Sequence, residues 1–301
     1  GLMPLYEWLA GKLAGRLQVD ATLLPQPLTL NDVVCSYLGQ RGRREEAYTR
    51  LRSILRENEF EPPPVLRQLA QITDFDLFVT TTFDPLLERA VNLERYGGEP
   101  MAEVIAYAPN RVADLPAERS QLKRAVIYHM LGRLSASPTY VVSDEDMLEF
   151  ICALQSEHLT PEKLFHELEH NHLLLIGSDF SNWLARLFLR MAKRKRLSDP
   201  RDVGEVLADD HTMKDERLVA FLQQVSVRTR VYGGAEAFVA ELHARWIKRQ
   251  GGTPTASGPS GPGARRAPAA AGCIRRLADR MTACQPVLAL GLTEWHDDTG
   301  R

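Results

Sequence analysis

Short, continuous apolar runs alternate with helix-like patterns along residues 1–250, and this alternation constrains the fold more than any other feature. Helical spacing of apolar residues covers 2–17 and 30–38, and a charged helix is predicted over 43–58. Runs typical of buried strands lie at 77–79, 104–107, 125–128, 140–142, 173–176, 205–208 and 225–232. Such runs are typical of parallel strands covered on both faces. The sequence therefore predicts an α/β fold, a three-layer Rossmann-like domain with a mostly parallel sheet.

The composition changes abruptly near Gly251. Of the 22 residues in 251–272, 16 are Gly, Pro or Ala and none is large and apolar, so this segment is predicted to be a flexible linker. Residues 273–301 are too few for an independent core, and we predict a disordered tail or a truncated stub of a second domain. Truncation or a shifted reading frame would also explain this composition, and the first residue, Gly1, gives the chain the look of a fragment.

The charge balance and the cysteines exclude several classes of protein. Lys and Arg number 37 against 39 Asp and Glu, a net charge of −2, which makes nucleic acid an unlikely partner. No apolar run approaches the roughly 18 residues of a membrane helix, so no membrane partner is expected. Four scattered cysteines without a CxxC pair suit a reducing compartment, and we expect a cytoplasmic protein.

Polar and glycine residues cluster where three predicted strands end. Ligands of doubly wound sheets bind at the carboxyl ends of strands. The first cluster is 80–84, where three threonines and Asp84 precede the helix that begins near Pro85. The second, 128–134, contains Leu131 and Gly132, and the third, 177–183, begins Gly-Ser-Asp. Asp84 alone is read more simply as a helix cap, because capping aspartates are common.

Taken in order, these segments resemble the sirtuin-like NAD-binding domain of bacterial proteins, particularly of antiphage defence systems. The family pattern is a strand ending Thr-Thr-Asn-Tyr/Phe-Asp, a Tyr-x-Leu-His-Gly-Ser segment, a Val-Leu-Thr/Ser-x-x-Asp-Tyr stretch and a strand ending Gly-Tyr-Ser-Leu-Ser-Asp-Trp. Here the matching segments are 80–84, 128–133, 141–147 and 177–183, and the resemblance covers about residues 60–245. It implies an NAD or ADP-ribose-type nucleotide as cofactor. The cofactor-binding residues that it implies are Thr80, Thr81, Thr82, Asp84, Gly132, Gly177, Ser178 and Asp179.

The departures from the family pattern bear on catalysis. The family's catalytic Asn falls at Thr82 and its catalytic His at Leu131, and the Ser that contacts a ribose falls at Asp179. Leu131 offers no proton acceptor, and a threonine cannot present the donor and acceptor of an amide. His129 lies two residues from position 131, about 6.6 Å along a strand, so we expect a core or rim histidine rather than a substitute base. The first strand with its Gly-rich phosphate loop has no counterpart, and neither has the zinc module of deacetylating sirtuins.

The resemblance therefore implies a catalytically degenerate, sirtuin-like module that senses NAD nucleotides or regulates a bacterial defence protein. Such modules are often fused to an effector such as a Toll/interleukin-receptor domain, and homo-oligomerisation is a further possibility. One alternative is an active NAD glycohydrolase that uses unconventional residues. Another is a scaffold that oligomerises or holds a partner without any ligand.

Two further motifs are given structural interpretations. Residues 166–170 match HExxH, which on a helix can hold zinc, but the next strand follows at once and no third ligand is evident, so no metal is expected. The basic run 193–196 closes a predicted helix, where cations interact favourably with the helix dipole.

Overall fold

The computed structural model describes residues 4–177, 183–196, 199, 204–208, 216, 219–220, 230–251 and 287–290, and it confirms the predicted α/β class. Within these residues the helices are α1 (Leu5–Leu17), α2 (Leu30–Gly39), α3 (Arg44–Glu57), α4 (Pro64–Gln71), α5 (Leu86–Tyr96), α6 (Asp144–Gln155), α7 (Glu162–His170), α8 (Trp183–Lys193) and α9 (Ala235–Arg249). The strands are β1 (Leu77–Thr80), β2 (Glu103–Ala106), β3 (Val126–His129), β4 (Leu173–Ile176), β5 (Glu205–Ala208), β6 (Arg230–Tyr232) and β7 (Val287–Leu290). Short 3-10 turns cover Ala21–Leu23 and Arg119–Gln121.

The strands form one sheet in the order β2-β3-β1-β7-β4-β5-β6, and each pair of neighbours is parallel. The pairing register aligns their last residues. Thr80 of β1 pairs with His129 of β3 on one side and with Leu290 of β7 on the other. Leu290 in turn pairs with Ile176 of β4. The carboxyl ends of the strands therefore lie at one level along a single edge of the sheet.

Helices cover both faces of the sheet, as the continuous apolar strands predict. Buried side chains of α1–α5 and α9 pack on one face with Phe78, Ile127 and Leu174. Those of α6–α8 pack on the other face with Val79 and Tyr128. Because successive side chains of a strand point to opposite faces, each strand contributes to both apolar layers.

The prediction of a strand at 140–142 is wrong. The structure describes all three residues, and none of them is in the sheet. The backbone N–H of Val141 donates to the carbonyl of Leu131 at 2.9 Å, and that of Val142 donates to Oδ2 of Asp146 at 3.2 Å. The Tyr140 ring packs against Tyr48 and Phe83, with ring centroids 4.8 and 4.9 Å away. The apolar run reflects this aromatic packing and not strand pairing. Ser143, directly after it, caps α6 and forms a capping box with Asp146.

The C-terminal segment differs from our expectation at four residues. We predicted a disordered tail or stub over 273–301, but Val287–Leu290 form β7, between β1 and β4. Four apolar residues cannot form a core of their own. They can still form a strand when they pair with the strands of an existing sheet. The linker at 251–272 and the rest of the tail lie almost wholly outside the described residues and stay predictions, as does residue range 225–229 of the last predicted strand run.

Among the described residues, no helix combines the length and the apolar character needed to cross a bilayer.

Candidate functional site

The candidate residues lie along the edge where the strands end. Thr81, Met130 and Gly177 are the first residues beyond β1, β3 and β4, and the aligned register places them at the same level. Neighbouring strands are about 4.8 Å apart, so the ends of β1 and β4, with β7 between them, are separated by roughly 10 Å. The threonines and Gly177 therefore lie on either side of β7, at the sheet edge where doubly wound sheets bind their ligands.

The threonines after β1 form a compact hydroxyl pair. Oγ1 of Thr80 lies 2.9 Å from Oγ1 of Thr82, and it also accepts a hydrogen bond from the Thr82 backbone N–H at 3.1 Å. Both side chains are buried, with exposed fractions of 1% and 6%, whereas Thr81 between them is half-buried. Thr80 and Thr82 therefore shape the turn from within, and Thr81 is the threonine that solvent reaches.

Asp84 is buried and acts first as a structural acceptor. Its Oδ1 accepts from the backbone N–H of Leu86, the first residue of α5, at 3.0 Å. The N-cap position predicted for Asp84 is occupied by Pro85, so Asp84 fixes the turn that precedes the helix. Its Oδ2 accepts from the hydroxyl of Tyr6 in α1 at 2.9 Å. Burial, together with the Asp84 charge, raises the pKa of Tyr6 well above its usual value, so the phenol stays a donor. Both carboxylate oxygens are thus engaged by the protein, and Asp84 contributes to the site by fixing the turn.

Packing in the turn after β3 accounts for the residue types at Leu131 and Gly132. Leu131 has an exposed fraction of 8% and belongs to the apolar layer that α6 and α7 cover. Gly132 has a positive φ of 83°, and a Cβ there would lie 2.3 Å from the carbonyl oxygen of Thr139 and 2.5 Å from Cα of Tyr140. The close approach of this backbone segment therefore requires glycine, whatever ligand binds nearby.

A buried ionic network lies directly beneath this turn, and it confirms His129 as a core histidine. The side chain of His129 is fully buried. Its Nδ1 lies 2.9 Å from the carbonyl oxygen of Thr82, and its Nε2 lies 2.8 Å from Oε1 of Glu88. Arg133 donates to both oxygens of Glu88, each at 2.7 Å. Both ring nitrogens thus contact oxygen atoms of the protein, and neither faces a ligand.

The third cluster is described only at its first residue. Gly177 has a positive φ of 64°, and its N–H donates to the carbonyl of Ala208 at 3.1 Å. Ser178 and Asp179 lie outside the described residues, and their contribution stays a prediction.

The structure thus brings Thr80, Thr81, Thr82, Asp84, Leu131 and Gly132 together, because backbone hydrogen bonds join the two turns. The N–H of Met130 donates to the carbonyl of Thr80, and the N–H of Leu134 donates to the carbonyl of Phe83, each at 2.9 Å. Sequence reasoning missed Tyr6 and Glu88 as partners of this cluster. Glu88 lies one helical turn after Asp84 among apolar residues, a signal that was available, but nothing local points to Tyr6.

The HExxH segment forms most of α7. His166 and His170 are exposed and their rings lie 4.2 Å apart. Glu167 accepts from the side chain of Asn171 at 2.9 Å. Within the described part of the chain, no group of three or more His, Cys, Asp or Glu side chains could hold a metal ion.

The basic run 193–196 begins with a buried lysine. Lys193 is only 1% exposed; its Nζ donates to the carbonyl of Asn171 at 3.0 Å and lies 3.6 Å from Oε1 of Glu205. This lysine anchors the end of α8 to the sheet, so the run is not a uniformly exposed basic patch.

Comparison with known families gives one match. A family model described as SIR2-like domain matches residues 76–229, from the residue before β1 to the residue before β6. The match therefore contains all three strand-end clusters. A comparison with curated protein sequences finds no match.

Proposed function

The chain belongs to the SIR2-like domain family, and from this premise we propose that it is a catalytically degenerate module that senses NAD nucleotides or regulates a partner. SIR2-like domains generally bind NAD-type nucleotides, and the aligned strand ends form the kind of edge at which doubly wound sheets bind ligands. From the family resemblance we further propose that the module regulates a bacterial defence protein. Its partner would be an effector domain such as a Toll/interleukin-receptor domain.

The observation that carries the proposal is the environment of Leu131. At the position of the family's catalytic histidine stands a hydrocarbon side chain packed into an apolar layer. A general base contributes about 10²–10⁴ in rate, and leucine has no atom that accepts a proton. Thr82, at the position of the catalytic asparagine, uses its hydroxyl in a contact with Thr80. Both substitutions support the loss of turnover by the family's route.

The neighbouring histidine does not compensate for this loss. Its two ring nitrogens are committed to Glu88 and to the carbonyl of Thr82, and its side chain is fully buried. To act on a ribose hydroxyl, His129 would have to give up both of these buried hydrogen-bond contacts. Leaving a buried polar group unsatisfied costs about 1–3 kcal/mol, so the exchange is unfavourable.

Nucleotide binding requires less than catalysis. The half-buried Thr81 places a side chain with a hydroxyl at the strand-end edge, and the left-handed Gly177 lets a ligand approach the backbone closely. We assign Asp84 and Gly132 an indirect role, in shaping the turns. Asp179 would either accept from ribose hydroxyls or repel a pyrophosphate, so it decides which nucleotide is tolerated.

Isothermal titration with NAD, ADP-ribose and cyclic ADP-ribose tests binding, and chromatography of the same NAD samples tests turnover. We expect saturable heat with at least one nucleotide and no release of nicotinamide above a protein-free blank. Thr81→Val, which removes only the hydroxyl, should weaken binding several-fold. Thr49→Val, the same change on the exposed face of α3, should leave it unaltered. Absence of heat with all three nucleotides overturns sensing, and release of nicotinamide overturns degeneracy.

Restoring the two family residues tests the cause of degeneracy. The variant Thr82→Asn/Leu131→His should bind at least as well as the parent. If it releases nicotinamide, the two positions account for the loss. If it binds NAD and remains inert, a further element such as the phosphate loop is lacking. Thermal unfolding must accompany the assay, because a histidine at the buried position 131 is itself destabilising.

A further inference from the structure

A cavity of about 640 Å³ opens at the edge of the sheet opposite the candidate nucleotide site. Its lining includes Asp76 and Ala125, which immediately precede β1 and β3 and so mark the amino edge. One wall is formed by His243 and Trp246 of α9, which lies beyond the matched range 76–229. The cavity therefore lies between the SIR2-like core and a flanking helix, and it does not rest on the proposed function.

The two carboxylates that line the cavity are already neutralised. Glu94 accepts from Nε of Arg67 at 2.5 Å and from the side chain of Gln71 at 2.7 Å. Asp76 accepts from Nε of Arg119 at 2.7 Å. Neither arginine lines the cavity, so their charges offset the acids from outside it.

Three cations also line the cavity. The guanidinium of Arg95 donates to three backbone carbonyls at 2.6 to 2.8 Å, and the nearby carboxylates of Asp76 and Asp74 partly offset its charge. Lys123 and Arg124 are exposed at the mouth, and within the described part of the chain neither of these two pairs with a carboxylate. The mouth of the cavity is therefore electropositive.

An aromatic surface adjoins these cations. The rings of His243 and Trp246 are nearly parallel, 21° apart, with centroids separated by 6.2 Å. The indole N–H of Trp246 donates to Asp74, which fixes the ring. Nε2 of His243 is buried and, among the residues that the structure describes, has no hydrogen-bond partner. Burial lowers the pKa of His243 more than the Glu94 charge raises it, so the imidazole is neutral near pH 7.

We propose that this cavity is a second binding site, for a planar aromatic anion. The aromatic ring of the ligand packs on the His243–Trp246 pair, and its carboxylate or phosphate lies between Lys123 and Arg124. The volume falls within the roughly 300–1,000 Å³ of small-molecule sites, and such a mixed lining is typical of them.

Titration calorimetry with naphthalene-2-carboxylate and naphthalene-2-carboxamide, which differ mainly in charge, tests the site. We expect saturable binding of the acid and at least about ten-fold weaker binding of the amide, since charged hydrogen bonds of this kind are worth a factor of ten or more. Lys123→Ala/Arg124→Ala should weaken binding of the acid to the affinity measured for the amide. Arg56→Ala/Arg111→Ala, which removes two exposed cations outside the cavity, should leave the acid unaffected.

A second variant separates binding from folding. His243→Leu removes one ring of the aromatic pair, so binding should weaken several-fold, while the melting temperature stays equal or rises because the buried, unpartnered nitrogen is removed as well. Absence of saturable binding, equal affinities for acid and amide, or an equal loss in the control pair overturns the proposed site. Unchanged binding by His243→Leu overturns the part assigned to the aromatic pair.

Discussion

Nε2 of His129 lies 2.8 Å from Oε1 of Glu88, and this buried pair joins β3 to α5. The second ring nitrogen contacts the carbonyl of Thr82 at 2.9 Å. The network thus holds the backbone of the residue at the family's asparagine position. His129 is therefore a structural element of the turn and not a catalytic base. Replacing it should lower the free energy of unfolding.

Glu88→Gln keeps the shape of the side chain and removes the negative charge beside His129 and Arg133. We expect the free energy of unfolding to fall by about 1.5–3 kcal/mol, because the hydrogen bonds from His129 and Arg133 lose their charged acceptor. Urea unfolding at pH 7 measures this. Glu149→Gln on the exposed face of α6 is the matched control and should change stability by less than about 0.5 kcal/mol. Similar losses in the two variants would contradict a structural network.

The same pair predicts a pH dependence. Burial alone raises the pKa of Glu88, but hydrogen bonds and charges from His129 and Arg133 outweigh burial, so its pKa is lowered. A carboxyl with a depressed folded pKa adds stability that is complete above the unfolded pKa, near about 4.3, and is lost as pH falls through the folded pKa. The stability difference between the parent and Glu88→Gln should therefore shrink below about pH 4.5. Urea unfolding at stepped pH checks this, and a difference that widens on acidification contradicts it.

Tyr6→Phe tests the contact between α1 and the turn after β1. It removes the hydroxyl that donates to Oδ2 of Asp84 at 2.9 Å, and a buried hydrogen bond to a charged acceptor is worth about 1.5–3 kcal/mol. Tyr37→Phe removes a comparable bond to Glu46 at a partly exposed position, and it should cost less than about 1 kcal/mol. Denaturant unfolding of both variants gives the comparison. Equal losses would show that burial of Asp84 adds nothing to this bond.

The strands of the sheet could largely be predicted, since β1, β3 and β4 are continuous apolar runs. The position of β7 could not. Val287–Leu290 is as apolar as the others, but the pattern of a run does not say which gap in a sheet it fills. The strand predicted at 140–142 was wrong because an apolar run also does not show how its residues are buried. Tyr140 is buried by aromatic packing and not by strand pairing.

The candidate site could be predicted as a set of strand ends but not as a set of contacts. Parallel strands end at one edge, so the grouping of Thr80–Asp84 with Leu131 and Gly132 follows from the fold class. The partner of Asp84 is 78 residues away in sequence, in a helix that precedes the matched range. No local pattern indicates a contact of that length, and burial of the threonine hydroxyls likewise depends on packing that only the folded chain defines.

Gly132→Ala should be among the most destabilising single-methyl additions in the chain. Its Cβ would meet the carbonyl oxygen of Thr139 at 2.3 Å, in a backbone conformation that already disfavours side chains. We expect a loss of about 3 kcal/mol or more. Gly98→Ala is the control, because its φ is also positive but nothing lies within 4 Å of the added atom; it should cost about 1 kcal/mol. A comparable loss at both positions would assign the effect to φ rather than to the close approach.

Ala289→Pro tests whether β7 belongs to the folded sheet. Ala289 pairs with Val79 on one side and with Leu175 on the other. Proline removes a backbone donor from a strand with neighbours on both sides, so unfolding should become easier by about 3 kcal/mol or more, or the protein should fail to fold. Ala270→Pro, in the segment predicted to be a linker, is the control and should change stability by less than about 0.5 kcal/mol. Equal and small effects of the two prolines, measured by thermal and urea unfolding, would mean that the sheet is complete without its central strand.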